Sequence, residues 1–242
     1  MSPAAGPGDG MVTAAVRAAA LLTGLCCYGL SMAMMVRAEL GLDPWDVFHQ
    51  GLSLHTPMTI GVASAVVGAV VLLAWIPLRS RPGVGTIANV VVIAVTVDAG
   101  LAVLDVPPST LGRVALMLGA VLLNAVATVL YVGAGLGAGP RDGLMTALVA
   151  RTGLSVRRIR TGIEVSVLAA GWLLGGSVGA GTVVYAFGIG PLIHLVLALS
   201  PAPVLARSGW ARIGAAPAPA PVAGCGTMER CPTLPTRSTP TC

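Results

Sequence analysis

The stretch "ELGLDPWDVF" (residues 39–48) interrupts a strongly hydrophobic chain, and "GLGAGPRDGL" (residues 135–144) interrupts it again 96 residues later. Both stretches have a glycine, a proline and an aspartate at the same relative positions: Gly41 and Gly137, Pro44 and Pro140, Asp46 and Asp142. Glycine and proline both disfavour the interior of a helix. The chain therefore carries a duplicated, helix-breaking turn that the fold has to accommodate twice.

The composition excludes an ordinary soluble domain. Of the 242 residues, 55% are hydrophobic and only 10% are charged, and the mean hydropathy is +0.89. Soluble domains carry about 25% charged residues, whereas a bilayer can absorb this much apolar surface. The chain is thus predicted to be an all-α integral membrane protein. All 14 basic residues are Arg, which we interpret as a codon-usage bias and not as a nucleic-acid-binding surface.

Six apolar stretches are long enough to cross the bilayer as helices, because a crossing takes roughly 20 residues. They lie at about residues 12–36, 60–78, 85–104, 114–134, 161–178 and 181–200. Residues 1–11 form a short N-terminal tail. Residues 201–242 are rich in Pro and Ala and are predicted to form a disordered C-terminal tail.

The arginines indicate how the spans are oriented, because basic residues near span ends favour the cytoplasmic side. With a cytoplasmic N-terminus, only Arg37 and Arg113 lie outside. Ten arginines then lie inside: Arg17, Arg79, Arg81, Arg141, Arg151, Arg157, Arg158, Arg160, Arg207 and Arg212. Both termini are therefore predicted to be cytoplasmic.

The duplication extends beyond the turn and predicts two related halves, residues 12–107 and 108–200. The string "GVGTIANV" from Gly83 matches "GAGTVVYA" from Gly179 at the same separation of 96 residues. Each half contains three spans, so the second copy must enter the membrane in the opposite sense. The first turn region is acidic and the second is rich in Arg, as opposite sides of a membrane require. Such inverted repeats are most familiar in secondary transporters.

Each turn is predicted to start a short helix. Proline suits the first position of a helix, and a nearby acid can accept hydrogen bonds from the free backbone N–H groups. Asp43 is expected to cap the helix that begins at Pro44, and Gly51 and Gly153 are expected to end the two helices. A helix of about 7 to 13 residues is too short to cross a bilayer. Each turn is therefore interpreted as a broken or re-entrant segment beside a shared cavity, approached once from each side.

Two interpretations remain open for Asp46 and Asp142, which are expected on opposite faces of the membrane. They are either ordinary helix caps or cavity-facing carboxylates that bind a cation or a proton. An anion site is disfavoured because a carboxylate already occupies the positive end of each helix. Trp45 is interpreted as an aromatic anchor at the outer interface. His49 and His55 are interpreted as solvated residues of the outer loop, with a weak metal site together with Asp43 and Asp46 as the alternative.

Four longer segments carry a family resemblance: "LGLDPWDVFHQGLS" (40–53), "WIPLRSRPGVGT" (75–86), "GLGAGPRDGLM" (135–145) and "SVRRIRTGIEVSVLAAGWLLGG" (155–176). They resemble the YczE branch of the YczE/YitT family of bacterial multi-pass membrane proteins. The resemblance covers roughly residues 12–200. It implies a location in the plasma membrane and an internal duplication, but it implies no activity and no site residues.

Charged residues inside the predicted spans need a reason, because a charge at mid-helix costs at least about 2.5 kcal/mol. Asp98 and His194 occupy equivalent positions in the two halves. They could form a water-bridged proton relay, or Asp98 could bond to a nearby Thr or Asn while His194 faces the cytoplasmic rim. Glu164 lies four residues after Arg160. A helical ion pair is therefore expected there, with a cavity-facing carboxylate as the alternative.

Three classes of function follow from these features. The first is a transporter or exporter of an unidentified small solute, with alternating access around the cavity. The second is a non-transporting accessory protein, alone or as a homodimer. It would dock a membrane partner or anionic lipid through Arg151, Arg157, Arg158 and Arg160. An enzyme is disfavoured, because the sequence shows no nucleophile–base pair, metal-ligand set or phosphate-binding loop. No cofactor is predicted.

Overall fold

The fold is built from helices. The computed structural model describes residues 7–78 and 82–200, with side chains from residue 14 onward. Within these ranges it contains eight helices and no strand: α1 (Pro7–Ala38), α2 (Pro44–His55), α3 (Ile60–Ala74), α4 (Val84–Val103), α5 (Thr110–Gly133), α6 (Pro140–Thr152), α7 (Val156–Leu173) and α8 (Ala180–Leu199). The all-α prediction is confirmed for this part of the chain. The predicted tail 201–242, residues 1–6, Arg79 and Arg81 lie outside the described residues.

Four helices of the described chain are long and apolar enough to cross a membrane: Ala14–Ala38 within α1, and α4, α5 and α8. α2 and α3 make a fifth if they are one span, broken by a bend of 113°. α7 falls short because its first half carries four charged residues: Arg157, Arg158, Arg160 and Glu164. The chain is therefore a multi-pass membrane protein, whereas the count of six spans stays a prediction.

The helices of the two halves begin in register. Three pairs of helix starts are separated by 96 residues: Pro44 and Pro140, Ile60 and Val156, and Val84 and Ala180. The short helices α2 and α6 have 12 and 13 residues, within the predicted range. Asp43 caps α2 with its side chain, and Gly153 ends α6 with a φ of 67°. Both capping predictions are confirmed.

Gly51 does not end α2, and that prediction is wrong. The helix continues to His55, and Gly51 is buried inside it. A Cβ atom at this position would lie 2.8 Å from the carbonyl oxygen of Gly171, in α7. Gly51 therefore permits a close contact between two helices, a role that its sequence neighbours do not reveal.

α1 and α5 pack side by side in opposite directions. Arg17, near the start of the candidate span in α1, donates to the carbonyl oxygens of Ala134 (2.7 Å) and Gly135 (2.8 Å), just past the end of α5. Arg113, near the start of α5, pairs with Glu39 (2.8 Å), just past the end of α1. Arg17 and Arg113 are equivalent in the repeat, and so are Glu39 and Gly135. The beginning of each helix thus lies beside the end of its counterpart.

Each turn docks on the last helix of the other half. The backbone N–H of Gly181 in α8 donates to the carbonyl oxygen of Leu40 (2.7 Å), and the N–H of Gly85 in α4 donates to that of Leu136 (3.0 Å). These four residues are two equivalent pairs of the repeat. A Cβ atom on Gly181 would lie 2.5 Å from the carbonyl oxygen of Gly41. The close backbone approach therefore explains why glycine stands at these positions.

One helix contact differs strongly between the two halves. α3 packs along α4, where the carboxylate of Asp98 accepts hydrogen bonds from the hydroxyl of Thr59 (2.6 Å) and the N–H of Gly61 (2.9 Å). The equivalent helices α7 and α8 barely touch within the described residues. Only 11% of the most apolar stretch of α8 is buried, compared with 28% in α4. The second half is therefore the more open one.

Candidate functional site

The starts of α2 and α6 meet inside the protein. Arg141, the second residue of α6, places guanidinium nitrogens 3.8 Å from Oδ1 of Asp43 and 4.0 Å from Oδ1 of Asp46. The same guanidinium lies 4.9 Å from the centre of the Trp45 ring, within cation–π distance. We call Asp43, Trp45, Asp46, His49 and Arg141 the central cluster. The two turns, expected on opposite membrane faces, are thus brought together, because both short helices begin in the protein interior.

The two acids of the central cluster are almost fully buried, with Asp43 3% and Asp46 1% exposed. Oδ1 of Asp43 accepts hydrogen bonds from the N–H groups of Trp45 (2.9 Å) and Asp46 (3.1 Å). Oδ1 of Asp46 lies 3.2 Å from Nδ1 of His49. The other oxygen of Asp46, Oδ2, is buried with no hydrogen-bond partner among the described residues. Such an oxygen is unfavourable by about 1–3 kcal/mol, so this position can accept a proton or a cation.

Trp45 and His49 are buried, and their sequence-based interpretations are wrong. Trp45 is 8% exposed and packs against Val71 and Trp75, so it does not anchor an outer interface. His49 is 1% exposed within α2 and is not a solvated loop residue. The sequence contains one signal that Trp45 belongs to the central cluster. Trp45 is the repeat equivalent of Arg141, and the two side chains stack on each other.

Asp142 differs from its repeat equivalent Asp46. It is exposed in the first turn of α6 and accepts a hydrogen bond from the hydroxyl of Tyr131 (3.0 Å). Its neighbour Arg141 belongs to the central cluster, but Asp142 makes no hydrogen bond to any residue of that cluster within the described chain. Only Asp46 therefore combines burial, a cation and an unpartnered oxygen.

A short chain of polar contacts links α1, α5 and α8. The hydroxyl of Tyr185 donates to Oδ1 of Asn124 (3.2 Å), and the amide of Asn124 donates to Oγ of Ser31 (2.9 Å). Such contacts hold membrane helices together. They connect long helices of both halves.

A small pocket lies beside the central cluster, between α2, α3, α4 and α6. Its volume is about 30 Å³, which is room for about two water molecules. Its polar lining consists of His49, Ser64, Asn89 and Arg141, and Trp45 forms part of the wall. No group of three His, Cys, Asp or Glu side chains in the described ranges could hold a metal ion. The pocket can hold water in this conformation but no larger solute.

Asp98 and His194 are not in contact. Both oxygens of Asp98 are occupied, one by the hydroxyl of Thr59 and one by the N–H of Gly61. A Thr partner is what one of the two sequence-based interpretations expects. His194 is exposed on α8 and makes no hydrogen bond or ion pair within the described residues. The water-bridged proton relay between the two side chains stays a prediction.

The predicted ion pair on α7 is present, with Oε1 of Glu164 2.9 Å from Nε of Arg160. Arg151 donates to a backbone carbonyl oxygen at 2.9 Å. Arg157 and Arg158 are exposed, and neither side chain has an acidic partner in the part of the chain that the structure describes. The predicted basic surface thus contains two arginines with partners and two without.

Comparison with known sequences finds one family over most of the chain. The family model of DUF6198, described as a family of unknown function, matches residues 15–198. The chain belongs to DUF6198. The match includes the central cluster, both turns and all four candidate spans. No solved structure matches the chain.

Two proteins of similar sequence support the assignment to DUF6198. The chain is 39% identical over 177 residues to an uncharacterized protein of Haemophilus influenzae, covering 73% of this chain and 81% of that protein. It is 34% identical over 174 residues to the uncharacterized membrane protein YczE of Bacillus subtilis, covering 72% and 80% of the two chains. The resemblance to the YczE branch is therefore confirmed.

Proposed function

We propose that this DUF6198 protein is a small-solute transporter or exporter of the bacterial plasma membrane, with two inverted three-span halves and both termini cytoplasmic. Three observations support the inversion: the antiparallel packing of α1 and α5, the reciprocal hydrogen bonds of Leu40 and Leu136, and the helix starts in register. α7 completes the second half if its charged start lies at the cytoplasmic interface, where Arg side chains reach the headgroups.

The central cluster is the observation that carries the proposal. Two short helices start at one buried point, where Arg141 lies between Asp43 and Asp46. In secondary transporters, broken helices of this kind surround the substrate and the coupling ion. A purely structural core would often be as stable or more stable with apolar residues in place of the buried ion pairs. A functional reason for these charges is therefore favoured.

The charge balance of the central cluster suits coupling to a proton or a cation. Two buried carboxylates face one guanidinium, and Oδ2 of Asp46 has no partner among the described residues. One added proton or cation would neutralise the excess negative charge, which is costly inside a membrane protein. We therefore assign the coupling step to Asp46, with Arg141 stabilising the acids in the empty state.

The difference between the halves suggests how access would alternate. α3 and α4 are packed together, whereas α7 and α8 are apart. If the two halves exchange these arrangements, an opening moves from one side of the membrane to the other. Asp98 would then hold the first half closed through Thr59 and Gly61.

Reconstitution tests the proposed transport. Purified protein in liposomes should produce proton- or cation-coupled flux of at least one solute from a broad panel. Asp46→Asn should reduce that flux to the level of empty liposomes, because an amide cannot take up the proton or carry the charge. Glu164→Gln is the matched control, since it changes an acid that is outside the central cluster and paired on the surface of α7. Wild-type flux equal to that of empty liposomes across the panel would reject transport.

A non-transporting accessory role is the second candidate, favoured by the exposed and unpaired side chains of Arg157 and Arg158. Arginines at a membrane surface attract anionic headgroups or an acidic partner. A stoichiometric membrane partner or stable homodimer, lost when both residues become Gln, would support this role. Identical co-purifying proteins before and after the change would reject it.

A further inference from the structure

An apolar groove lies between α6 and α7, in the more open half. The groove is shallow and open on one side, with a volume of about 390 Å³. The apolar walls are formed by Leu144, Leu148, Ile159, Ile163 and Val167. Between Ile159 and Val167 the α7 wall is about 12 Å long, at 1.5 Å per residue. The groove can therefore hold an extended hydrocarbon chain.

Trp45 connects this groove with the central cluster. Its indole ring lines both the groove and the small polar pocket. The guanidinium of Arg141 lies over the same ring. Trp45 therefore lies between the groove and the central cluster.

Arg158 gives the groove its charge. It lines the groove together with the apolar side chains, and it has no acidic partner within the described residues. The groove is therefore complementary to a molecule with an anionic group near Arg158 and an apolar chain along the walls.

We infer that the groove binds a single-chain anionic amphiphile, with its head at Arg158 and its tail between α6 and α7. This is the class of substrate that the proposed transporter would carry. The inference rests on the proposed transport function and specifies its substrate.

Photolabelling of the full chain tests the binding. A diazirine-bearing alkyl sulfonate, added to the protein in phosphatidylcholine nanodiscs, should label the α6 and α7 peptides that line the groove. Gly162→Leu should remove this labelling, because the new side chain would fill open space in the groove wall. Gly188→Leu is the matched control, since it also meets nothing within 4 Å but lies on α8, outside the groove. Equal labelling of Gly162→Leu and the wild type would overturn the inference.

Arg158→Gln distinguishes an anionic ligand from ordinary bilayer lipid. It should weaken the sulfonate labelling about fivefold, the effect of one partly exposed ion pair. Arg157→Gln, at the adjacent exposed position, should leave the labelling unchanged because Arg157 does not line the groove. A diazirine phosphatidylcholine could instead label the groove strongly, with no decrease in the Arg158→Gln variant. That result would mean that the groove holds bulk lipid, and it would overturn the anionic assignment.

Flux measurements separate failure of this inference from failure of transport. Asp46-dependent flux of a fluorescent alkyl sulfonate, abolished by Gly162→Leu, would support both proposals. Asp46-dependent flux of a small polar solute that Gly162→Leu leaves unchanged would overturn the amphiphile assignment, while transport itself would stand.

Discussion

Gly181→Ala tests the docking of the two halves, the contact on which the proposed architecture depends. Gly181 is the second residue of α8, and its N–H donates to the carbonyl oxygen of Leu40 (2.7 Å). A Cβ atom here would lie 2.5 Å from the carbonyl oxygen of Gly41 and 3.1 Å from that of Leu40. Both oxygens belong to the backbone of the first turn, which cannot move aside as a flexible side chain could.

The expected change in the free energy of unfolding combines three contributions. Alanine improves helix propensity by about 1 kcal/mol relative to glycine. The steric conflict costs about 1–3 kcal/mol, and loss of the hydrogen bond to Leu40 costs about 0.5–1.5 kcal/mol. The net destabilisation is roughly 2 kcal/mol, which lowers the Tm of a chain of this size by about 4–8 °C.

Thermal unfolding of the purified protein in one detergent measures this effect. Gly188→Ala is the control, because a Cβ atom at Gly188 meets nothing within 4 Å and propensity alone changes. Its Tm should be equal to the wild type or up to about 4 °C higher. Gly85→Ala should fall between the two, since its closest contact is longer, 3.0 Å to Leu136. A Gly181→Ala protein that unfolds at or above the Tm of Gly188→Ala would refute the close approach.

Three further predictions concern the α3–α4 contact, the topology and the α7 ion pair. Asp98→Ala should destabilise the protein by about 1–3 kcal/mol because it removes the acceptor of the Gly61 N–H. Asp98→Asn keeps an acceptor and should cost less than about 1 kcal/mol; equal Tm values for the two variants would contradict this reasoning. Reporter fusions after His55 and after Arg151 should report the external and the cytoplasmic side, and the same side for both would exclude the inversion. Arg160→Gln should change stability by less than about 0.5 kcal/mol, because its helical pair is exposed; a Tm decrease as large as that of Gly181→Ala would contradict this.

The duplicated turns could be predicted from the sequence because their signals are local. Pro44 and Pro140 begin helices for a reason visible in the residue itself, since proline lacks the N–H that the first helical position does not use. Asp43 bonds to N–H groups two and three residues away, and Gly153 adopts a positive φ that glycine tolerates. The all-α membrane class follows in the same way from hydropathy over single segments.

The burial of the turns could not be predicted, because it depends on contacts between distant parts of the chain. α2 has the composition of a surface helix, yet α3 and α7 pack against it and cover His49. The partners of Asp98 lie 39 and 37 residues away in sequence, and no periodicity points to them. Arg141 reaches Asp46 across the contact between the halves. The sequence gives one hint to the contact between the halves: Trp45 and Arg141 occupy equivalent positions in the repeat.

Trp45 and Arg141 explain why two related halves differ where they meet. They are equivalent in the repeat, and one stacks on the other. Two arginines at this point would lose the cation–π contact between Trp45 and Arg141. Two tryptophans would leave the buried carboxylates of Asp43 and Asp46 without a cation. One residue of each kind provides the cation–π contact and both ion pairs. The central cluster therefore depends on a difference at one duplicated position, and neither half could form it alone.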